Sequence, residues 1–154
     1  MMDVYLGLGS NVGDRERQMR LALEWIDQVE GVSIKKISRF YKTKAVSTTP
    51  QPDFLNAAVY LQTVLTPDEL FTIFWEMEKK SGRKTKGNYD PRPLDIDILF
   101  YGTQIICSES LTIPHPLLQD RLFVLIPLAE IAPDFLHPIL DISVVDLKRR
   151  LEKK

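Results

Sequence analysis

Two aspartates one residue apart, Asp95 and Asp97, stand in the run Pro91-Arg92-Pro93-Leu94-Asp95-Ile96-Asp97-Ile98-Leu99-Phe100. Strand alternation sends Leu94, Ile96, Ile98 and Phe100 to one face and both aspartates to the other. Aspartate is depleted from strands, so a pair on one face needs a cause. At a rise of roughly 3.3 Å per residue their Cβ atoms lie about 6–7 Å apart. Converging carboxylates at that spacing can hold one divalent cation, or a pair about 4 Å apart. Upstream, Arg83, Lys84, Lys86 and Arg92 stand against a single acid, Asp90, in a loop held by Gly82 and Gly87. Anionic ligands beside a basic loop suit a metal–polyphosphate substrate. Arg83 and Arg92 then offer planar forks to phosphate oxygens and stabilise transition-state charge, with the loop as a lid. The plainer alternative, a solvated edge strand whose acids pair with Lys or Arg, stays open on these residues alone. Hard oxygen donors without a Cys or His cluster suit Mg²⁺ better than zinc.

Other segments carry weaker signals. Gly7-Leu8-Gly9-Ser10-Asn11-Val12-Gly13 is neither a Walker A loop nor a dinucleotide fingerprint, so it reads as a tight turn with room for close approach. His115 lies between Pro114 and Pro116, either structural or, with Thr112 and Arg121 near it, a phosphate contact. His137 is expected at the surface. Phe54, Phe123 and Tyr89 fall outside clear helix-core registers; they are core residues or ring faces for a flat heteroaromatic ligand whose edge Asn56 could read. Cys107 is the single cysteine, which excludes an intrachain disulfide and a cysteine zinc cluster; between apolar neighbours it reads as a buried thiol.

The elements that must position these residues are legible in outline. Val4, Leu6 and Leu8 alternate with Tyr5, Gly7 and Gly9 as a first strand. Asp14 caps a helix with apolar positions Leu21, Ala22, Trp25, Ile26 and Val29, ended by Gly31. Residues 32–42 form a second strand with a bulge at Lys35-Lys36, and 43–53 a long loop. A third strand over 54–64 puts Leu55, Ala57, Val59 and Leu61 on one face. Thr66-Pro67-Asp68-Glu69 starts a helix running to about Ser81, with Leu70, Phe71, Phe74, Trp75 and Met77 inward and Glu78 near that face. A short strand near 103–107, an apolar helix around 120–132 and a last helix capped by Ser143 follow. The order predicts an α+β, ferredoxin-like split β-α-β core, a mainly antiparallel sheet with helices on one face and a ligand site on or beside the other. At 154 residues and 44% hydrophobic content, residues 1–154 are expected to form one domain. A net charge of −1 gives no global field toward nucleic acid or an anionic membrane. No apolar run reaches membrane-spanning length and no basic leader precedes the first strand, so a cytoplasmic protein is expected.

The chain resembles the 6-hydroxymethyl-7,8-dihydropterin pyrophosphokinase family. The resemblance runs through Leu8-Gly9-Ser10-Asn11, Phe40-Tyr41-Lys42-Thr43, Gln51-Pro52-Asp53-Phe54-Leu55-Asn56-Ala57, Gly82-Arg83, Pro91 to Ile98, and Leu111-Thr112-Ile113-Pro114-His115-Pro116. It implies transfer of the β,γ-pyrophosphoryl group of ATP, the co-substrate, to the pterin hydroxymethyl group in folate biosynthesis, releasing AMP. It further implies that Asp95 and Asp97 bind two Mg²⁺ ions and that Arg83 and Arg92 contact phosphates and assist catalysis. The pterin would lie between Phe54 and Phe123, with its edge on Asn56 and on the backbone of Thr43, Lys44 and Val46. ATP would meet Glu78, Arg83, Arg92, Ile98, Leu111, Thr112, His115 and Arg121. A monomer acting on small molecules, with no nucleic acid and no membrane, is the expected assembly. This sequence departs from the pattern at Phe54, in place of a tyrosine, and in the 82–91 loop, where Tyr89 is the candidate to stand for a tryptophan.

Overall fold

The computed structural model describes residues 1–43, 53–82 and 93–154. The first strand forms as β1 (Met2–Ser10), with Val4, Leu6 and Leu8 buried. α1 (Arg15–Asp27) begins as expected: the Asp14 carboxylate accepts from the Arg17 amide at 3.1 Å. Its buried residues are Met19, Ala22 and Ile26, while Trp25 and Val29 pack at the margin. Leu21 turns instead to an outer groove with Arg17, Arg20 and Glu24.

Residues 32–42, expected as one strand, are two: β2 (Val32–Ile37) and β3 (Tyr41–Thr43). The expected bulge is present between Ile34 and Lys36. Ser38 makes the break. Its N–H donates to the Ala58 carbonyl at 2.9 Å, and its hydroxyl accepts from the Ala58 N–H at 2.8 Å, where a ladder carbonyl would stand.

β4 (Phe54–Thr63) buries Ala57, Val59 and Leu61. α2 (Pro67–Lys80) opens with a reciprocal capping box, the Thr66 amide on Glu69 Oε1 at 3.0 Å and the Glu69 amide on Thr66 Oγ1 at 3.2 Å. Leu70, Phe74 and Met77 point inward, and Phe71 and Ile73 pack beside them. Trp75, expected inward, is half-buried with the Lys79 ammonium 5.6 Å from its ring centre. Then come β5 (Asp95–Tyr101), a small ribbon of β6 (Ile106–Cys107) and β7 (Thr112–Ile113), α3 (Leu122–Ile131) and α4 (Val144–Glu152). Ser143 caps α4, accepting from the Asp146 amide at 3.3 Å.

The sheet order is β2-β4-β1-β5, with β3 also on β4, and every pairing is antiparallel. β1 and β2 therefore run parallel with β4 between them, the split β-α-β arrangement expected from the element order. α1 and α2 cover one face, over Val4, Leu6, Val59, Leu61, Ile96 and Ile98. The second face, expected without helices, is covered at one end: Leu125 and Leu128 of α3 and Val144 and Leu147 of α4 pack on Ala58, Leu99 and Phe100.

A β-bulge explains the additional core. Leu6 pairs with Ile98 but Tyr5 pairs with Phe100, leaving Leu99 as the extra residue. The alternation slips there. Phe100, expected beside Ile96 and Ile98, lies instead with Tyr5, edge-on at 6.2 Å, and Tyr101 takes the place in the first core. His137, expected at the surface, is 4% exposed and meets Phe100 edge-on at 5.5 Å. Cys107, expected buried, is exposed because the ribbon turns it outward. None of the described helices is long and apolar enough to cross a membrane.

Candidate active site

On the second face, beside the core that α3 and α4 form, three strands bring the candidate residues together. In the β1–β5 ladder Gly7 lies opposite Asp97 and Gly9 opposite Asp95. In the β1–β4 ladder Gly7 lies opposite Ala58 and Gly9 opposite Asn56. Directly paired residues share a face, so two transverse rows result: Asn56–Gly9–Asp95 and Ala58–Gly7–Asp97. Both aspartates thus border a strip of β1 that carries no side chains. A Cβ at Gly9 would stand 3.1 Å from Asn56 Oδ1 and 3.6 Å from Phe54 Cδ1, so the absent methyl is what gives these side chains their room.

Thr43 pairs with Phe54, and Tyr41 with Asn56. The Asn56 amide donates to Thr43 Oγ1 at 2.6 Å, which orients a side chain only 5% exposed. Phe54, Asn56 and Thr43, placed by the family resemblance at one subsite, are neighbours on one corner of the sheet. Asp95 and Asp97 lie across β1 from them.

Glu78 reaches the aspartate strand from behind. Its side chain is fully buried, and Oε1 accepts from the N–H of Ile96, the residue between the aspartates, at 2.9 Å. This buried bond fixes the main chain that carries both carboxylates. Ile98, expected on the ATP side, has its side chain in the first core, which leaves its main chain as the part a ligand could meet. Leu111 also packs against that core, and Thr112 is exposed on β7. His115 is held beside β5: its N–H donates to the Leu99 carbonyl at 3.1 Å and its Nδ1 accepts from the Leu117 amide at 3.3 Å. Nε2 therefore carries the proton of the neutral ring. Arg121 and Phe123 lie together at the start of α3, the guanidinium carbon 5.5 Å from the ring centre. Arg83, Arg92, Lys44, Val46 and Tyr89 lie outside the described residues.

The chemistry of the donor set fits magnesium. Among the described residues no group of three or more His, Cys, Asp or Glu side chains converges, and Asp95 and Asp97 offer hard oxygen donors only. Magnesium is commonly held in this way, by one or two carboxylates with the remainder from phosphates and water.

Three residues that sequence reasoning gave no role, Arg39, Tyr41 and Glu130, meet at the end of α3. Tyr41 donates its hydroxyl to Glu130 Oε1 at 2.5 Å, and the same carboxylate accepts from the Arg39 amide at 3.1 Å and from Arg39 Nε at 3.3 Å. Burial pushes the Glu130 carboxyl up, but the bonds from Tyr41 and Arg39 outweigh it and hold it below its ordinary range. The signal was present: Glu130 is the sole charged residue in the apolar run Leu122–Ile131.

Solved structures share the fold. The fold matches an HPPK-DHPS protein crystallised in complex with substrates, with TM-score 0.74 over 97% of this chain and 43% of that one. It also matches wild-type Plasmodium falciparum HPPK-DHPS, with TM-score 0.76 over 99% of this chain and 42% of the other. Identities of 14% and 16% make these likenesses of fold alone, and this chain spans less than half of either protein. Sequence carries the rest. Residues 5–133 match the family described as 7,8-dihydro-6-hydroxymethylpterin-pyrophosphokinase. The 2-amino-4-hydroxy-6-hydroxymethyldihydropteridine pyrophosphokinase of Aquifex aeolicus is 44% identical over 139 residues, covering 90% of this chain and 86% of that protein. The Synechocystis protein of the same name is 37% identical over 147 residues, covering 96% and 75%. The Arabidopsis thaliana folate synthesis bifunctional protein is 45% identical over 130 residues, 84% of this chain but 27% of that one. The chain belongs to the pyrophosphokinase family of folate biosynthesis, and so to the diphosphotransferase enzymes.

Proposed function

We propose that the protein transfers the β,γ-diphosphoryl group of ATP to the hydroxymethyl group of 6-hydroxymethyl-7,8-dihydropterin. The hydroxyl oxygen attacks the β-phosphorus in line, the bridging α–β P–O bond breaks, AMP leaves with the bridging oxygen, and the hydroxyl proton passes to a base. One observation supports this reading most: in a chain of this family, two carboxylates stand opposite two glycines with Asn56 and Phe54 on the same face.

Asp95 and Asp97 would hold two magnesium ions, which when bound neutralise phosphate charge and acidify the attacking hydroxyl. Asn56, oriented by Thr43, reads the pterin edge, and Phe54 and Phe123 supply ring faces, with Lys44 and Val46 adding backbone contacts. Arg83 and Arg92 bind the polyphosphate. His115, Thr112, Leu111, Ile98, Arg121 and Glu78 form the ATP side, Glu78 acting through the aspartate strand. Asp97 is the candidate base, and the protein acts as a cytoplasmic monomer.

AMP release from ATP, measured with and without the hydroxymethyl pterin, tests the proposal. Pterin-dependent AMP is expected. Pterin-independent release of phosphate would indicate a hydrolase, and retention of single-stranded RNA without turnover a binding module.

A further inference from the structure

Glu130 gathers three donors from the β2–β3 connection. The Arg39 guanidinium is 81% exposed, so its ion pair contributes little. The Tyr41 hydroxyl and the Arg39 main-chain N–H are the bonds that fix position. They tie the last turn of α3 to the start of β3, the strand that carries Thr43 onto Asn56.

At the other end of the helix stands Phe123. Seven residues separate Phe123 from Glu130, which is two helical turns, so the two share one face about 10 Å apart along the axis. Pro127 lies between them and offers no N–H to the Phe123 carbonyl, so the helix's own ladder holds its first turn incompletely. α3 packs against β4, β1 and β3, so the bonds at Glu130 help fix how the helix that carries Phe123 is seated on the sheet.

We propose that Glu130 is a positioning residue for the pterin: by fastening α3 to Tyr41 and Arg39, it sets the gap between Phe123 and the Thr43–Asn56–Phe54 corner. This rests on the function proposed above. A flat ligand between two surfaces is sensitive to the gap, since opening it by about 0.5–1 Å forfeits a quarter to a half of the dispersion contact.

Steady-state kinetics on the full chain, varying both substrates, provides the test. Glu130→Ala is expected to raise the pterin KM about tenfold, with kcat and the ATP KM within about twofold of wild type. Glu130→Gln, whose amide oxygen still accepts from Tyr41 and Arg39, should return the pterin KM to within about threefold of wild type. Tyr41→Phe should raise the same constant several-fold, and it decides the matter should Glu130→Ala fail to fold. An unchanged pterin KM in Glu130→Ala and Tyr41→Phe, or a parallel rise in both KM values, would overturn the assignment while leaving the function intact. A wild-type chain that turns over no pterin would overturn the function itself and this inference with it.

Discussion

Gly9 has no Cβ, and Asn56 and Phe54 close over the place one would occupy. That makes Gly9 more than a turn residue. Glycine in a strand interior ordinarily weakens it, so its position between Asn56 and Asp95 is explained by the space it leaves. Gly9→Ala would set a methyl 3.1 Å from Asn56 Oδ1, and that side chain, bonded to Thr43 and almost wholly buried, has little freedom to yield. The variant is expected to fold with a lowered melting temperature, by about 1–3 kcal/mol of stability, and to bind pterin roughly fivefold more weakly, checked by calorimetric titration. Unaltered affinity would mean that ligands do not depend on the Asn56 orientation.

β5 shows what an element adds to its residues. The aspartates alternate outward as their spacing implies, but the slip at Leu99 sends Phe100 to their side as well. Beyond Asp97 every residue through Tyr101 is apolar, so alternation carries no information about where the phase changes. Where polar and apolar residues did alternate, as in β1 and β4, faces were readable from sequence. Where capping chemistry is local, as at Asp14, Thr66 and Ser143, helix starts were readable too. The break at Ser38 and the bond from Ile96 to Glu78 join residues distant in sequence, and nothing local announces them. Glu78 yields an element-scale expectation. Glu78→Ala leaves a buried N–H without its acceptor and should cost on the order of 2–3 kcal/mol by denaturant unfolding, together with turnover. Glu78→Gln keeps an acceptor and should recover most of the stability. Equal losses in the two variants would show that the charge, rather than the bond to Ile96, is what matters.

Among the described residues the molecule is a sheet with a core on each side, and the candidate site lies on the second face beside the core of α3 and α4. The C-terminal segment completes that second core through His137, buried against Phe100, whose Nδ1 accepts from the amides of Ile139 at 3.2 Å and Leu140 at 3.1 Å. Burial holds this imidazole below its ordinary value of 6.5. The unfolded chain therefore takes up the proton first. Stability from His137 is fully present above pH 6.5 and falls as pH drops through the folded-state value. His137→Asn, which retains an acceptor for the two amides, should flatten this dependence between pH 7.5 and 5.5 in denaturant unfolding. A wild-type slope unchanged by the substitution would assign the pH dependence to other groups.

Turnover by Asp97→Ala bears on the central claim most directly. With ATP, magnesium and the hydroxymethyl pterin at saturation, AMP release should fall below detection, while far-ultraviolet circular dichroism and the melting temperature stay close to wild type. Near-normal AMP release from that folded variant would contradict the assignment of the paired carboxylates.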